Sequence, residues 1–330
     1  MDVTVVARGI LVLLTFSLIA CDRSTDEGIY QPSAACEGQQ IKGEYLVQWK
    51  DGRVTKVSHD SLDELFEETI EPHRDQIKVV NPNLRLQVSP VESIPLPNNS
   101  DISENSLPSF RNWGRRAIEA AYAWQNNYRG QGVTVAVIDS GTAIDNPLLS
   151  DRVVVNAGES GLDRNGRDKS TNGIDDDGNG YIDDVSGYNF ALRSPNNVDN
   201  NGHGTHVAGI VAAEHDDTDY ITTLPQGVAP GANILPLDFI EESAGGTLDA
   251  AVEAMDYVIR MQRQMNIRVI NASWGGPSCS SILENKIAQL AQHNILFVAA
   301  AGNLGNNIDL IPYMEFPASY TQPNQITVGS

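Results

Sequence analysis

Positive charge is what this sequence has least of. Its 22 Lys and Arg stand against 43 Asp and Glu, a formal net charge of -21. Such a chain repels phosphate backbones, so nucleic acid is excluded as a partner. Cysteine is nearly absent as well. The three that occur, Cys21, Cys36 and Cys279, do not settle the redox compartment. A Cys36–Cys279 pair, which would tie the N-terminal region covalently to the rest, is not expected. Membrane-length apolar runs are missing too, since the stretch from Ile10 to Ala20 is too short to span a bilayer as a helix. What remains is an ordinary globular balance, 41% hydrophobic and 20% charged over 330 residues. That length gives room for one large domain and smaller pieces.

The apolar run still has a use. Preceded by Arg8 and closed by small residues, it fits the h-region of a signal peptide. Leu18-Ile19-Ala20-Cys21 resembles the bacterial lipobox, after which the cysteine is lipidated and becomes the mature N-terminus. The resemblance makes residues 1–20 a lipoprotein signal peptide and Cys21 the lipidated residue. It implies an anchor in the bacterial cell envelope, either on the outer side of the cytoplasmic membrane or in the periplasm or outer membrane. Asp22 after the cysteine points toward retention at the inner membrane. The plainer alternative is an ordinary signal peptide with an incidental cysteine.

Residues 21–40 are polar and read as a tether. From 41 to 94 the pattern changes. Tyr45 to Lys50 reads as a strand closed by Asp51-Gly52, a hairpin signal. Ser61 and Glu64 form a capping-box pattern ahead of Leu62, Leu65 and Phe66 on one helical face, and Leu84 to Val88 alternates as a second strand. Residues 95–110, rich in Pro, Asn and Ser, form a linker.

Beyond residue 111 short apolar runs alternate with helical stretches. Val133–Ile138, Ile234–Leu237, Val269–Asn271 and Ile295–Ala299 are continuous, as parallel strands covered on both faces must be. Val207–Ala213, Thr247–Gln264 and Ile282–His293 carry helical periodicity between them. The alternation gives an α/β domain of three layers around a parallel sheet, with its site at the strand C-terminal ends.

Three segments place polar residues on that edge. Val133 to Gly141 delivers Asp139, Ile295 to Asn303 delivers Asn303, and Asn201 to Ala213 places His203 between Gly202 and Gly204. Glycines on both sides leave the imidazole open to solvent at a helix start, where it can exchange protons near neutral pH. Alone, His203 reads as a structural histidine ahead of a buried helix and Asp139 as a turn or cap residue. Together the three resemble the subtilisin-like serine peptidases, the subtilases, whose triad runs in the order Asp, His, Ser. The likeness covers about Trp113 to Ser330. It implies that Asp139 orients His203, that His203 is general base and then general acid, and that the Asn303 amide donates to a developing oxyanion. It also makes residues 41–94 a propeptide, a folding assistant and inhibitor, with an unrelated small adaptor domain as the alternative. Ser273-Trp274-Gly275-Gly276 is similar to the strand that walls the family's substrate pocket, with Trp274 on a side wall. Ala244-Gly245-Gly246 is similar to the strand opposite. A peptide or protein substrate would lie extended between them.

Acid concentrates from Asp175 to Asp184. Asp175, Asp177, Asn179, the Tyr181 carbonyl and Asp183 take the odd-numbered ligand places of a calcium loop, with Gly180 at its turn. Ser186 holds the last place, where such a loop carries a bidentate Glu, so the ligand set is incomplete and a solvated acidic loop is the alternative. Subtilases carry a similar insertion, which implies structural calcium. The family's nucleophile motif, Gly-Thr-Ser-Met-Ala, occurs nowhere in the 330 residues, and Ser330 ends a strand without being the nucleophile. The expectation is a serine endopeptidase lacking its C-terminal part. A catalytically inactive scaffold that binds peptides as an envelope lipoprotein is the other class of function. If the lipobox is genuine, labelled palmitate enters the wild-type chain and not Cys21→Ser; equal labelling of both would refute the anchor.

Overall fold

The alternating strands near the N-terminus pair as a hairpin. β1 (Gln40–Trp49) turns at Asp51-Gly52 into β2 (Val54–Ser58), antiparallel to it. A helical segment, α1, follows as Leu62–Glu64, a π-helical Leu65–Ile70 and Glu71–His73. Ser61 caps it as expected, its Oγ accepting the Glu64 N–H at 3.2 Å, while Glu64 Oε2 reaches back one residue beyond the cap, to the Asp60 N–H at 3.0 Å. β3 (Ile77–Val88) is more than twice the length that alternation suggests. Residues 79–84 are buried without a break, so no two-residue period shows there, and Asn81-Pro82-Asn83 reads as a turn. This computed structural model describes residues 28–31, 40–88, 113–215, 226–241 and 245–329. The expected signal peptide, Cys21, Cys36, the linker at 95–110, Ala244 and Ser330 lie outside the described residues.

Two short helices, α2 (Trp113–Ala117) and α3 (Ala120–Gln125), break at Glu119, which adopts φ 55°. Then come β4 (Thr134–Asp139), β5 (Tyr188–Asn189), α4 (His203–Ala212) and β6 (Asn233–Asp238). β7 (Ile240–Glu241) and β8 (Gly245–Thr247) lead into α5 (Leu248–Met261) and β9 (Ile267–Ala272). The described chain closes with β10 (Trp274–Gly275), α6 (Ser281–Gln292), β11 (Leu296–Ala300) and β12 (Gln325–Val328).

The main sheet runs β12-β11-β9-β4-β6-β5, with every pairing parallel. Alternate residues of β4 serve two cores, which is why its sequence is apolar throughout. Val135 and Val137 pack with Val207, Ala208 and Ala212 of α4, whereas Ala136 and Ile138 join the core of α5 and α6 on the other face. These are the three layers of the expected α/β domain.

The N-terminal sheet, order β2-β1-β3-β8-β7, is continuous with loops of the large domain. Val47, Leu65, Ile70, Ile77 and Val80 form a small core of their own, while Leu46, Val79, Leu84 and Leu86 belong to the main core. Asn81 Oδ1 accepts from Ser280 Oγ, Ser281 Oγ and the Ile282 N–H at 2.9–3.0 Å, capping α6 from outside. Asn83 Nδ2 donates to Glu44 and Asp249, and Lys56 Nζ pairs with Asp249 at 2.8 Å. The asparagines that look like a turn in sequence are the polar seam between the two parts.

Candidate active site

Parallel strands diverge where their connections change direction, and here that place is β4. The chain moves from β4 to β6 on one side and later to β9 on the other, so the C-terminal end of β4 opens a crevice. Asp139 is its last residue and is fully buried. Asp139 Oδ1 accepts the Ser140 N–H at 2.8 Å and faces His203 Nδ1 at 2.7 Å. With a carboxylate at Nδ1, that nitrogen carries the proton and Nε2 is left as the base.

The start of α4 is pressed onto the turn after Asp139. A Cβ at Gly204 would lie 2.1 Å from the Gly141 carbonyl oxygen, so only glycine admits the contact. Ser140 Oγ accepts the Gly204 N–H at 2.9 Å and donates to Asp199 Oδ1 at 2.9 Å. Asp199 also accepts from the N–H groups of Asn201, Gly202 and Thr205 and from Thr205 Oγ1. Asp199 was invisible to motif reading, although an Asp followed by Asn-Asn-Gly ahead of a helix is a capping signal. The same bonds hold the Ser140 hydroxyl between two partners.

His203 is not open to solvent, as its glycine neighbours suggested, but only 8% exposed. Gly204 is small to admit the Gly141 backbone rather than to uncover the imidazole. Burial pulls the His203 pKa down, but the Asp139 hydrogen bond and charge, reinforced by Asp199, overcome it and raise it above the ordinary value. Asp238 lies beside Asp139 in register on β6. Burial, with the charges of Asp199 and Asp139, pushes it up to about 7.

Asn303 follows β11 at the same sheet edge and is exposed. β11 and β4 are separated by β9 alone, which sets their strand ends about 10 Å apart. Between β8 and β10 the end of β3 is seated as an extended strand. Arg85 and Leu86 pair with Thr247 and Gly246, and Gln87 and Val88 with Gly275 and Trp274, antiparallel on both sides. A Cβ at Gly245 would stand 2.7 Å from the Leu86 carbonyl, so this wall is glycine because backbone approaches backbone. Ser273 is half-buried and its Oγ accepts from Asn271 Nδ2 at 2.9 Å. The Trp274 side chain does not line a side wall. It is 2% exposed, donates Nε1–H to the Ile138 carbonyl at 2.8 Å and packs on Phe239. An indole buries most favourably where its one N–H finds an acceptor, and the β4 carbonyl supplies it.

The acidic loop is organised differently from the expected ligand order. Asp175 accepts the N–H groups of Gly178, Asn179 and Gly180, and Asp183 those of Gly173 alone. Both carboxylates shape the loop and stand outside the acidic cluster. The carboxylates that converge are Glu159, Asp177 and Asp184, with ligand atoms all within 4.8 Å of one another. Asn179 Nδ2 bridges Asp177 and Asp184, and the Tyr181 ring anchors the loop against Tyr188, Phe190 and Tyr257. Glu159 and Asp184 are fully buried, and Glu159 Oε2 has no hydrogen-bond partner. Burial raises both pKa values, Asp184 to about 7, with the neighbouring carboxylates adding to it. Hard oxygens, mutual repulsion and an orphaned buried oxygen suit a divalent cation such as calcium.

With this geometry in place, comparison with known proteins is informative. The sequence profile of the subtilase family matches residues 130–330. The major intracellular serine protease of Bacillus subtilis (strain 168) is 30% identical over 242 residues, covering 73% of this chain and 63% of that protein. The intracellular serine protease of Paenibacillus polymyxa is 30% identical over 217 residues, 66% of this chain and 55% of its own length. The chain therefore spans between 55% and 63% of the length of these relatives. Among solved structures, fervidolysin from Fervidobacterium pennivorans, described as a keratinolytic enzyme related to subtilisin, superposes with a TM-score of 0.62. That match has 20% identity and covers 91% of this chain and 44% of that one; the likeness is one of fold.

The hydrogen bond at Nδ1 should be visible in solution. By NMR, His203 should titrate above the ordinary histidine value of about 6.5. Asp139→Asn should bring it below that value, because the remaining large influence is burial. The sign has a stability consequence: with the folded pKa raised, the pair's contribution is complete below about 6.5 and is lost as pH rises through the folded value. An unchanged His203 titration in Asp139→Asn would mean the pair does not form.

Proposed function

Because the chain belongs to the subtilase family, we propose that Asp139 and His203 are the aspartate and histidine of a serine-peptidase triad, in a protein of subtilisin-type endopeptidase lineage. The observation that carries this reading is the 2.7 Å contact between a buried carboxylate and His203 Nδ1 at the β4 crevice. His203 Nε2 takes the proton of a serine hydroxyl as it attacks a peptide carbonyl, then returns it to the leaving amine. Asp139 holds the tautomer and stabilises the imidazolium, in keeping with the raised pKa. Asn303 donates its side-chain amide to the oxyanion.

The lane between β8 and β10 is the substrate's. A peptide added there as a strand takes main-chain hydrogen bonds from both walls. Residues 41–94 act as a propeptide whose end, Arg85 to Val88, holds that lane in advance. The Lys56–Asp249 pair and the Asn81 and Asn83 bonds clamp it in place. Calcium bound by Glu159, Asp177 and Asp184 would neutralise the cluster and brace the loop ahead of Asp199; it supplies structure, not chemistry. A lipid on Cys21 would set the enzyme in the bacterial cell envelope. A second reading, a peptide-binding scaffold, draws on the same lane, because main-chain pairing between β8 and β10 holds a strand whether or not a bond is cleaved.

Two experiments test these readings. Asp184, with a folded pKa of about 7, carries a burial penalty that is absent below about 4 and complete above about 7. Chelated protein should therefore melt higher as pH falls from about 8 to about 6. Calcium at a hundredfold excess over its dissociation constant should add about 2.7 kcal/mol at the higher pH, and Asp177→Ala should abolish most of that gain. A chelator that leaves the melting curve unmoved would rule out the metal. For the chemistry, the 330-residue chain should be inert toward casein and fluorophosphonate probes. A version continued through a Gly-Thr-Ser-Met-Ala segment should label at that serine and lose activity in His203→Ala. Labelling of the unextended chain that depends on His203 would sink this assignment; an extended chain that folds but never labels would favour the scaffold.

A further inference from the structure

One carboxylate beside the cleft has no part in the chemistry above. Glu315 projects from the segment between β11 and β12 into a cavity of about 360 Å³, whose lining includes Gly302, Asn303, Leu304, Tyr313 and Gly329. Both sides of the cleft approach it. A Cβ at Gly302 would lie 3.5 Å from Glu315 Cγ, and one at Gly275, on the β10 wall, 3.9 Å from Oε2. Its backbone is held firmly: the Glu315 N–H donates to Ser319 Oγ at 3.1 Å and its carbonyl accepts the Ser319 N–H at 2.7 Å. The next residue, Phe316, exchanges two backbone hydrogen bonds with Gly276, at 2.7 and 2.9 Å. The side chain is half-buried, yet among the described residues no hydrogen bond or ion pair reaches its carboxylate. Burial raises its pKa with nothing in opposition, the mark of a charge removed from water and not compensated.

We propose that this cavity receives the side chain of the substrate residue preceding the scissile bond, and that Glu315 makes the site select Lys or Arg there. The inference rests on the peptidase reading of the cleft. In that reading the Asn303 amide meets the scissile carbonyl, so the residue owning that carbonyl has its side chain at the mouth of the cavity that Asn303 itself lines. The carboxylate also borders the lane itself, because Gly275 pairs with the strand seated there and a Cβ on it would lie 3.9 Å from Glu315 Oε2. The volume lies at the lower end of ligand-sized pockets, room enough for a long side chain. A Lys ammonium or Arg guanidinium gives the carboxylate the charged partner it lacks. An apolar side chain would strip it of remaining water and leave it unpaired, and an acidic one would be repelled, so rejection reinforces attraction.

The pocket can be probed without a nucleophile. p-Aminobenzamidine, a fluorescent amidinium small enough to enter the cavity while β3 holds its lane, should bind the 330-residue chain saturably. Its affinity should fall about tenfold or more in Glu315→Gln and stay unchanged in Asp309→Asn, an exposed carboxylate that does not line the cavity. Equal binding to wild type and Glu315→Gln, or none to the wild type, overturns the proposal. In the chain continued through the serine segment, kcat/KM is compared for peptides differing only in the residue before the cleaved bond. Lys and Arg should lead Leu and Phe by about tenfold or more, and Glu315→Lys should shift the preference toward Glu. Cleavage without basic preference overturns this inference while leaving the peptidase reading intact. Glu315-dependent amidinium binding in a chain that cleaves nothing supports the cation-selective pocket and counts against the peptidase reading alone.

Discussion

A buried carboxylate at the end of a parallel strand is the constraint around which this molecule is arranged. Asp139 is fully buried, and one of its oxygens has no hydrogen-bond partner. Its charge is tolerable only because the other oxygen meets an N–H of Ser140 and the His203 ring. That demand draws the start of α4 onto the β4 turn, a contact so close that Gly204 cannot carry a side chain. Asp199 then satisfies the exposed donors of α4 and steadies Ser140. Three carboxylates, Asp139, Asp199 and Asp238, thus share one sheet edge. Burial first and their repulsion second shift Asp238 upward, while the negative charges of Asp139 and Asp199 favour the imidazolium and pull His203 upward.

The second organising feature is the path of β3. It leaves its own small core at Val80, crosses the polar seam at Asn81 and Asn83, and ends between two strands of the large domain. Both ends of that path use backbone hydrogen bonds, which are indifferent to side-chain identity, so a different peptide could take the same lane. The seam is polar where the lane is not. Beside that seam the strand is also seated in apolar contact, with Leu84 and Leu86 buried in the main core. Glu315 stands just beyond the lane, where side chains rather than backbone decide what fits.

The acidic loop illustrates how excess negative charge is concentrated rather than spread. Asp175 and Asp183 are spent on backbone N–H groups of the loop. Glu159, Asp177 and Asp184 face one another. The first pair stabilises a shape by local hydrogen bonding; in the trio, burial first and the neighbouring carboxylates second raise the proton affinity of Glu159 and Asp184, which creates a demand for a cation or for protons.

Much of this was legible in the chain of residues. Continuous apolar runs announced parallel strands because both faces of the main sheet are covered, and the order of Asp139, His203 and Asn303 marked one edge of that sheet. What stayed hidden has common physical causes. The first half of β3 was missed because two-sided burial erases alternation and because asparagines joining two packed parts resemble a turn. Trp274 was misplaced because strand period tells which face a side chain takes, not whether that face meets a cleft or a core. Glu159 and Asp184 could not be foreseen as partners in one acidic cluster, because a loop's spacing describes contacts along the chain while these carboxylates converge across it. Glu315 carries no motif at all. Local pattern determines which residues form strands, caps and turns, since those forces act over a few residues. Which carboxylate is buried, which is paired and which is left facing an open cavity is decided only when distant segments pack.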